Sequence, residues 1–436
     1  MRSAKNAQNQ NQARNSSQNS KSEIKSNASP RREMFDPAVS KPKIPFFLSF
    51  LTNLGTLIIL PLFGKLQDFL RNVGLVKRAG EYTPPEDTKD FPDLYQSYEA
   101  FFKRNIYARI RDCFNKPICG VPGGKVDLLV REPRDKLYQI EYDYPGTVIK
   151  QAGNLASYNY LGFANVDGVC AVSAVDAVSV SGISSASTEQ ELGRQVIHDD
   201  IEKVTAEFLG VEEAMCFGMG FATNSMNIPA LVDSKSLIIS DRCNHASIVT
   251  GCRLSGATIK TFQHNDMSSL EHVIRKAILH GNPKRMGRPW KKILIIVEGI
   301  YSMEGTICNL GRVMQLKKMY NCYVYLDEAH SIGALGETGR GCCEYWGVDP
   351  NEVDIMMGTF TKSFGAAGGY IGGKRDVINS LRKINHGSSY ASTMSPAVAA
   401  QAMTALHMVG YATASKIVIG SWFSANIKPW LENLKI

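Results

Sequence analysis

Lys362 lies in a segment suited to bonding an aldehyde. It follows Thr359 and Thr361 and precedes a run of glycine and alanine at 365–368. A lysine amine that condenses with a flat aromatic aldehyde needs a small-residue pocket, so that the ring can approach the backbone. The threonine hydroxyls could hold a phosphate on the same molecule.

Asp327 follows the apolar run 322–326, which predicts a buried strand. An aspartate at the end of such a strand can keep a pyridine nitrogen protonated, which makes the ring an electron sink. Together, Lys362 and Asp327 predict an enzyme that uses pyridoxal phosphate.

The elements that must position these residues have an α/β pattern. Apolar runs at 237–239, 293–297, 323–326 and 355–357 predict strands, and helical patterns such as 270–279 and 312–319 alternate with them. This alternation predicts a mostly parallel sheet with helices on both faces. Ligands of such sheets bind at the carboxyl ends of the strands, where Asp327 and Thr359 fall.

Composition narrows the class of protein. The net charge is +8, but residues 1–43 hold nine Lys or Arg against three acids, so the remaining chain is near neutral. Nucleic-acid binding by the folded part is therefore not expected. Ten cysteines without a CxxC pair favour a reducing, cytosol-facing environment.

The uncharged stretch 44–64 is just long enough to cross a bilayer as a helix. A buried core helix is the alternative, and Pro45, Asn53 and Pro61 weaken the spanning interpretation. We expect membrane association, with spanning and in-plane insertion both open.

These patterns divide the chain into five regions. They are a disordered polar tail (1–43), a membrane-associated apolar segment (44–64), a helical and linker region (65–152), a large cofactor-binding domain (153–385) and the start of a C-terminal domain (386–436).

Three other patterns in the sequence are typical of different functions, namely a helicase, a dinucleotide-binding site and a zinc site. The sequence Asp-Glu-Ala-His at 327–330 also occurs in helicases, but no phosphate-binding loop precedes it here. The glycines at 218–220 begin a dinucleotide fingerprint without its third glycine, and they suit a phosphate at a helix start better. Cys243, His245 and Cys252 fit no usual zinc spacing, so no metal is predicted.

Long motifs give a closer resemblance. The chain is similar to the α-oxoamine synthases, fold-type I pyridoxal phosphate enzymes that condense an amino acid with an acyl-CoA and decarboxylate it. The segments that carry the resemblance are 157–164, 218–229, 244–247, 297–305, 325–341 and 358–373.

The resemblance implies a role for each matching residue. Lys362 corresponds to the Schiff-base lysine, Asp327 to the carboxylate on the pyridine nitrogen and His245 to the imidazole stacked on the ring. The resemblance thus implies Lys362, His245 and Asp327 as catalytic residues. The further cofactor contacts that we predict are His330 at the phenolic oxygen, and Thr359, Thr361, Gly220, Phe221 and Ser302.

Within the family, the apolar segment before the core favours the branch that joins L-serine to a long-chain acyl-CoA such as palmitoyl-CoA. The resemblance implies 3-ketosphinganine as product, a related non-catalytic subunit as heterodimer partner, and an endoplasmic reticulum membrane with the catalytic domain facing the cytosol.

Two departures from the family pattern stand out. Glu189 replaces the arginine of a Ser-Thr-Arg motif, in a loop expected near the site, and no arginine follows Arg382 to bind the substrate carboxylate. We therefore expect a truncated C-terminal domain and little or no synthase activity from the 436 residues alone. The alternative function is a non-catalytic subunit that binds a partner or the cofactor without turnover.

Overall fold

The computed structural model of the chain describes residues 46–75, 101, 105, 115–120, 123–133, 142–155 and 157–414. The chain divides into two compact units, residues 1–110 and 111–436. The predicted polar tail at 1–43 and the last residues, 415–436, lie outside the described residues.

Helix α1, Phe46–Asn72, is the main described element of the first unit. It begins inside the segment predicted at 44–64, runs eight residues past it, and has Pro61 within it. Leu54, Ile58 and Leu62 are exposed on it. No helix in the described part of the chain is both long enough and apolar enough to span a bilayer.

The second unit begins with short antiparallel strands. Strands β1, β2 and β5 form one small sheet, and β3 pairs with β4. Their bounds are Ile118–Cys119 (β1), Lys125–Leu129 (β2), Glu132–Pro133 (β3), Tyr142–Asp143 (β4) and Val148–Gly153 (β5). The region predicted as helical and linker sequence, 65–152, therefore contains strands over its described final part.

A seven-stranded sheet forms the centre of the second unit, in the order β6-β14-β13-β12-β9-β7-β8. Strand β14 is antiparallel to both neighbours, and the other adjacent pairs are parallel. The bounds are Glu213–Phe217 (β6), Leu237–Asp241 (β7), Thr258–Phe262 (β8), Ile293–Glu298 (β9), Tyr323–Asp327 (β12), Ile355–Thr359 (β13) and Gly369–Gly373 (β14). A separate hairpin pairs β10, Ile300–Tyr301, with β11, Thr306–Ile307.

Helices cover both faces of this sheet, as the α/β pattern predicted. They are Val169–Ser181 (α2), Val196–Leu209 (α3), Gly220–Leu231 (α4), Ala246–Leu254 (α5), Met267–His280 (α6), Leu310–Tyr320 (α7), Cys342–Trp346 (α8), Arg375–Ile384 (α9), His386–Tyr390 (α10) and Pro396–Ala414 (α11). Successive β9 residues belong to opposite cores, Ile295 to the core that includes α3, α6 and α7, and Ile296 to the core that includes α4, α5 and α9. A strand buried on both faces favours a continuous apolar run, which is why β9 has no alternating pattern before Glu298.

The four strands predicted from apolar runs are confirmed, each extended by one or two residues. Strand β14 was not predicted because three of its five residues are glycine, which is depleted in strands. These glycines suit a crowded position. A Cβ at Gly372 would lie 2.8 Å from Leu209 Cδ1, and one at Gly369 would lie 2.7 Å from the Gly358 carbonyl oxygen.

The segment predicted to start a C-terminal domain, 386–436, contributes to the main core. Helix α11 begins with Pro396, a residue favoured in the first helical turn. Met394, Ala399 and Leu406 lie in the core on the α3 face of the sheet. The described part of this segment is thus packed onto the large domain.

Candidate active site

Two acidic side chains lie next to each other at the carboxyl end of the sheet. Asp327 ends β12 and Glu298 ends β9, and the parallel register pairs the two residues directly. Both are buried. Burial, with the neighbouring Asp327, raises the pKa of Glu298 to about 8, and burial also raises the pKa of Asp327. Lys362 opposes both increases.

Asp327 is held by neutral donors. Asn224 Nδ2 donates to its Oδ2 at 2.7 Å, and the Ala329 backbone N–H donates to its Oδ1 at 2.8 Å. The Tyr325 hydroxyl donates to Asn224 Oδ1 at 2.7 Å, which fixes the amide in turn. The carboxylate therefore has a defined orientation at the strand end.

His245 caps the start of helix α5. Its backbone N–H donates to Glu298 Oε1, and its Nδ1 lies 2.8 Å from Ser247 Oγ. The ring meets Phe221 edge to face, with 6.1 Å between centroids. Adjacent parallel strands and the α5 start thus place His245 beside the two carboxylates.

Lys362 lies in the loop after β13, half-buried, with its Nζ 5.9 Å from the centroid of the Tyr158 ring. Burial lowers the pKa of the Lys362 amine, while Asp327 and Glu298 act to raise it. The net direction is downward, so the amine holds its proton less tightly than an exposed lysine.

His330 contacts two tyrosines. Tyr160 Oη is 2.9 Å from His330 Nδ1, and Tyr158 contacts the His330 ring edge to face. Burial, together with the nearby Lys362 and His245, lowers the pKa of His330 to about 4. His330 is therefore uncharged at neutral pH.

The start of helix α4 and the loop after β13 form a narrow cradle. Thr359 Oγ1 lies 2.8 Å from Thr361 Oγ1 and donates to the Gly368 carbonyl. A Cβ at Gly220 would lie 2.8 Å from Thr359 Oγ1, so only glycine fits there. Gly368 has φ +89°, and a Cβ there would lie 2.2 Å from Phe217 O. The α4 N-terminus thus faces hydroxyls at short range, an arrangement that suits a phosphate.

The structure brings together most of the predicted site residues, namely Lys362, Asp327, His245, His330, Thr359, Thr361, Gly220 and Phe221. Ser302 instead lies in the exposed turn between β10 and β11, and the arrangement above is built without it.

Sequence reasoning assigned no individual role to Glu298, Asn224, Ser247, Tyr158 or Tyr160. Glu298 had the same signal as Asp327, an acid directly after a buried apolar run. Asn224 and Ser247 lie in helices, where a polar residue alone gives no sign of burial, so only the packing reveals them.

The remaining residues of the Asp-Glu-Ala-His and metal patterns have structural partners. Glu328 is buried and accepts hydrogen bonds from the Ser331 hydroxyl and the Cys342 backbone N–H. Within the described ranges, the potential metal ligands that converge are Asp241, Cys243 and His264, a group without His245 or Cys252. His264 Nδ1 is hydrogen-bonded to Asp241 at 3.0 Å.

Glu189, the departure from the family motif, lies in a cluster of ion pairs. Its carboxylate contacts Arg194 at 2.5 Å and Arg382 at 3.0 Å, and both arginines also bind Glu202. Glu189, Arg194 and Glu202 line a cavity of about 340 Å³ that extends to Met219, directly before helix α4. The charge reversal is thus matched by arginine partners within the chain.

The family model described as aminotransferase class I and II matches residues 150–417. A relative from Caenorhabditis elegans, serine palmitoyltransferase 3, is 48% identical over 361 residues, with 83% of this chain and 69% of the relative covered. The chain belongs to the class I and II aminotransferase family. Within it, the chain is a member of the serine palmitoyltransferase group.

Other members of this family are similar over comparable lengths. The chain is 53% identical to serine palmitoyltransferase 2 of Caenorhabditis elegans and 51% identical to serine palmitoyltransferase 3 of Homo sapiens, with 80% of this chain covered in both cases. It spans 61% and 62% of these two relatives.

Solved structures agree on the fold. The Sphingomonas wittichii serine palmitoyltransferase has a TM-score of 0.58 at 26% identity, over 74% of each chain. A structure described as SPT with a PLP internal aldimine has a TM-score of 0.56 at 27% identity, over 65% of this chain and 67% of its own. The fold-type I prediction is therefore confirmed.

Proposed function

We propose that the chain is the catalytic subunit of a serine palmitoyltransferase, which uses pyridoxal phosphate to condense L-serine with a long-chain acyl-CoA. The observation that carries this proposal is the convergence of Lys362, Asp327 and His245 at the carboxyl end of the sheet. The names of the relatives support the substrates, because about half of the residues are identical over the aligned stretch, which covers 61% and 62% of the two relatives.

The residues present fit pyridoxal phosphate. The α4 N-terminus with Thr359 and Thr361 forms the cradle for the phosphate, and the buried Asp327 carboxylate is an acceptor for a protonated pyridine nitrogen. His245 provides a ring to stack on the cofactor, and Lys362 provides the amine for its aldehyde. When bound, the cofactor supplies an electron sink for a carbanion at the amino acid α-carbon.

Each residue of the site then has a separate role. Asp327 holds a proton on the pyridine nitrogen through its charge, and Asn224 and Ala329 hold Asp327 in place. Lys362 removes the α-proton of serine, and the lowered pKa of its amine favours the unprotonated form that a base requires. The condensation forms the carbon–carbon bond, releases coenzyme A and carbon dioxide, and leaves 3-ketosphinganine.

The test is the covalent attachment of the cofactor. We expect the purified chain with pyridoxal phosphate to show a visible chromophore that borohydride traps on Lys362, as found by peptide mapping. Lys362→Ala should abolish the chromophore, whereas Lys374→Ala, at an exposed lysine after β14, should retain it. Trapping on another lysine in the unaltered chain would overturn the assignment.

We also propose that the protein acts at the endoplasmic reticulum membrane, with its catalytic domain on the cytosolic side, as a heterodimer with a related subunit that lacks the lysine. The exposed apolar side chains of α1, such as Ile58, Ile59 and Leu62, support membrane association. The partner and the location rest on the family resemblance.

Flotation with phospholipid vesicles tests the membrane part. We expect the full chain to float with vesicles and the Ile59→Asp/Leu62→Asp variant to lose most of this binding. Leu279→Asp/Met286→Asp is the matched control, since both residues are exposed apolar residues outside α1. Recovery of the full chain as a soluble, active homodimer would count against both the membrane and the partner.

A further inference from the structure

A continuous chain of buried hydrogen bonds links Asp327 to His245. It runs from Asp327 through Asn224 and Ser247 to the His245 ring, with Tyr325 attached to Asn224. The Asn224, Ser247 and Tyr325 side chains are buried. None of the three is required to touch the cofactor or substrate in the proposed function, so their arrangement needs a separate explanation.

The direction of each hydrogen bond follows from the chemistry of the groups. An ionised carboxylate only accepts, so Asn224 must turn its Nδ2 toward Asp327 Oδ2, at 2.7 Å. The same Nδ2 lies 2.9 Å from Ser247 Oγ, so its second hydrogen is donated there. With Nδ2 turned this way, the Oδ1 atom of Asn224 faces Tyr325, and the Tyr325 hydroxyl donates to it.

The direction of these hydrogen bonds determines how Ser247 binds His245. With Oγ accepting from Asn224, the Ser247 hydroxyl hydrogen is available for His245 Nδ1, 2.8 Å away. The Ser247 backbone N–H also donates to Nδ1, at 3.2 Å. Two donors directed at one ring nitrogen require a lone pair on it, so the ring proton must be on Nε2.

We propose that Asn224 and Ser247 are positioning residues that hold His245 with Nδ1 as an acceptor and the proton on Nε2. The ring is exposed beyond the network, so it presents an N–H donor, rather than a lone pair, to a bound molecule that reaches Nε2. The tautomer depends on the charge of Asp327. A protonated Asp327 would let the Asn224 amide reverse and accept from Ser247, which would withdraw the hydroxyl hydrogen from His245.

The consequence for catalysis rests on the proposed function, but the tautomer itself is a property of the chain without cofactor. It can be read from the ¹⁵N shifts of the two ring nitrogens in the ¹⁵N-histidine-labelled full chain, purified without pyridoxal phosphate. The His245 signals are assigned by their loss in His245→Gln. We expect the unaltered chain to show an unprotonated Nδ1 and a protonated Nε2.

Ser247→Ala removes the side-chain donor and leaves the backbone N–H at 3.2 Å. We expect both ring-nitrogen signals to move toward each other, as a second tautomer becomes populated. Ser247→Thr keeps the hydroxyl and should restore the pattern of the unaltered chain. Asn224→Asp, which does not contact the ring, should give the same shift as Ser247→Ala, because its carboxylate takes the Ser247 hydroxyl hydrogen.

A proton on Nδ1 in the unaltered chain would overturn the proposal, and this measurement needs no variant to fold. An unchanged tautomer in a folded Ser247→Ala would remove Ser247 from the role, and an unchanged tautomer in a folded Asn224→Asp would remove Asn224. Borohydride trapping at Lys362 reports separately on the proposed function, so either result can fail without the other.

Discussion

Two groups of carboxylates in the second unit are stabilised in different ways. Glu189 and Glu202 are paired with two arginines, Arg194 and Arg382, at 2.5 to 3.0 Å. Asp327 and Glu298 lie side by side at the end of the sheet, and amide and backbone N–H groups bind them. In the first group, which we call the paired cluster, two arginine charges balance two carboxylates. In the second group, the two carboxylates lie next to each other beside Lys362.

The difference indicates which of the two groups of carboxylates is suited to catalysis. A paired cluster fixes the chain segments that carry it, here the loop at 187–195 and the end of helix α9. Adjacent like charges in a buried place raise each other's pKa and lower stability when both are ionised. Such an arrangement is typical of functional sites, and it supports the proposal that the Asp327 end of the sheet is the reactive site.

The largest effect on stability should come from the paired cluster. Arg382→Met leaves Glu202 and Glu189 with Arg194 as their remaining cation, so we expect the free energy of unfolding to fall by roughly 3 to 5 kcal/mol. Urea unfolding of the full chain measures it. Arg375→Met is the control, since the Arg375 side chain is 67% exposed and its ion pair with Glu213 should contribute no more than about 1 kcal/mol. Equal losses in the two variants would contradict the large contribution to stability that we expect from the paired cluster.

In the second group, removal of the Asp327 charge should weaken cofactor binding more than it lowers the free energy of unfolding. Asp327→Asn removes a charge-assisted hydrogen bond worth about 1.5 to 3 kcal/mol, so we expect pyridoxal phosphate to bind about 10- to 100-fold more weakly in an absorbance titration. The free energy of unfolding should change by no more than about 1.5 kcal/mol. Asp233→Asn, at an exposed acid, should change neither quantity. Unaltered cofactor affinity in Asp327→Asn would remove Asp327 from its proposed role.

Stability should also depend on pH through Glu298. Glu298 has a pKa near 8 in the folded chain against an ordinary value of 4.5, so the folded state binds more protons between these values. Its contribution to stability is present below about pH 4.5 and is lost as the pH rises through about 8. Glu298→Gln keeps an acceptor for the His245 N–H and cannot ionise.

Thermal unfolding of both proteins without cofactor across pH 5 to 9 tests this sign. The melting temperature of the unaltered chain should fall relative to Glu298→Gln as the pH increases, and the two should converge at the acidic end. A difference that grows toward low pH would mean that the Glu298 carboxylate is stabilised in its ionised form.

The sequence by itself determined four strands of the large sheet, because burial on both faces of a parallel sheet favours continuous apolar runs. It also predicted Lys362 and Asp327, since a lysine among small residues and an acid after a buried strand have few structural uses. These two residues indicated the cofactor, and the long motifs added the family and the substrates that it implies.

Only the tertiary structure decided which residues meet. The antiparallel insertion of β14 between β13 and β6 depends on glycines whose close contacts come from other strands and helices. The pairing of Glu298 with Asp327 depends on strand order, and the link from Asp327 to His245 depends on Asn224 and Ser247 from two separate helices. Such contacts join residues from 23 to more than 100 positions apart, and local patterns in a single sequence carry no information on distance in space.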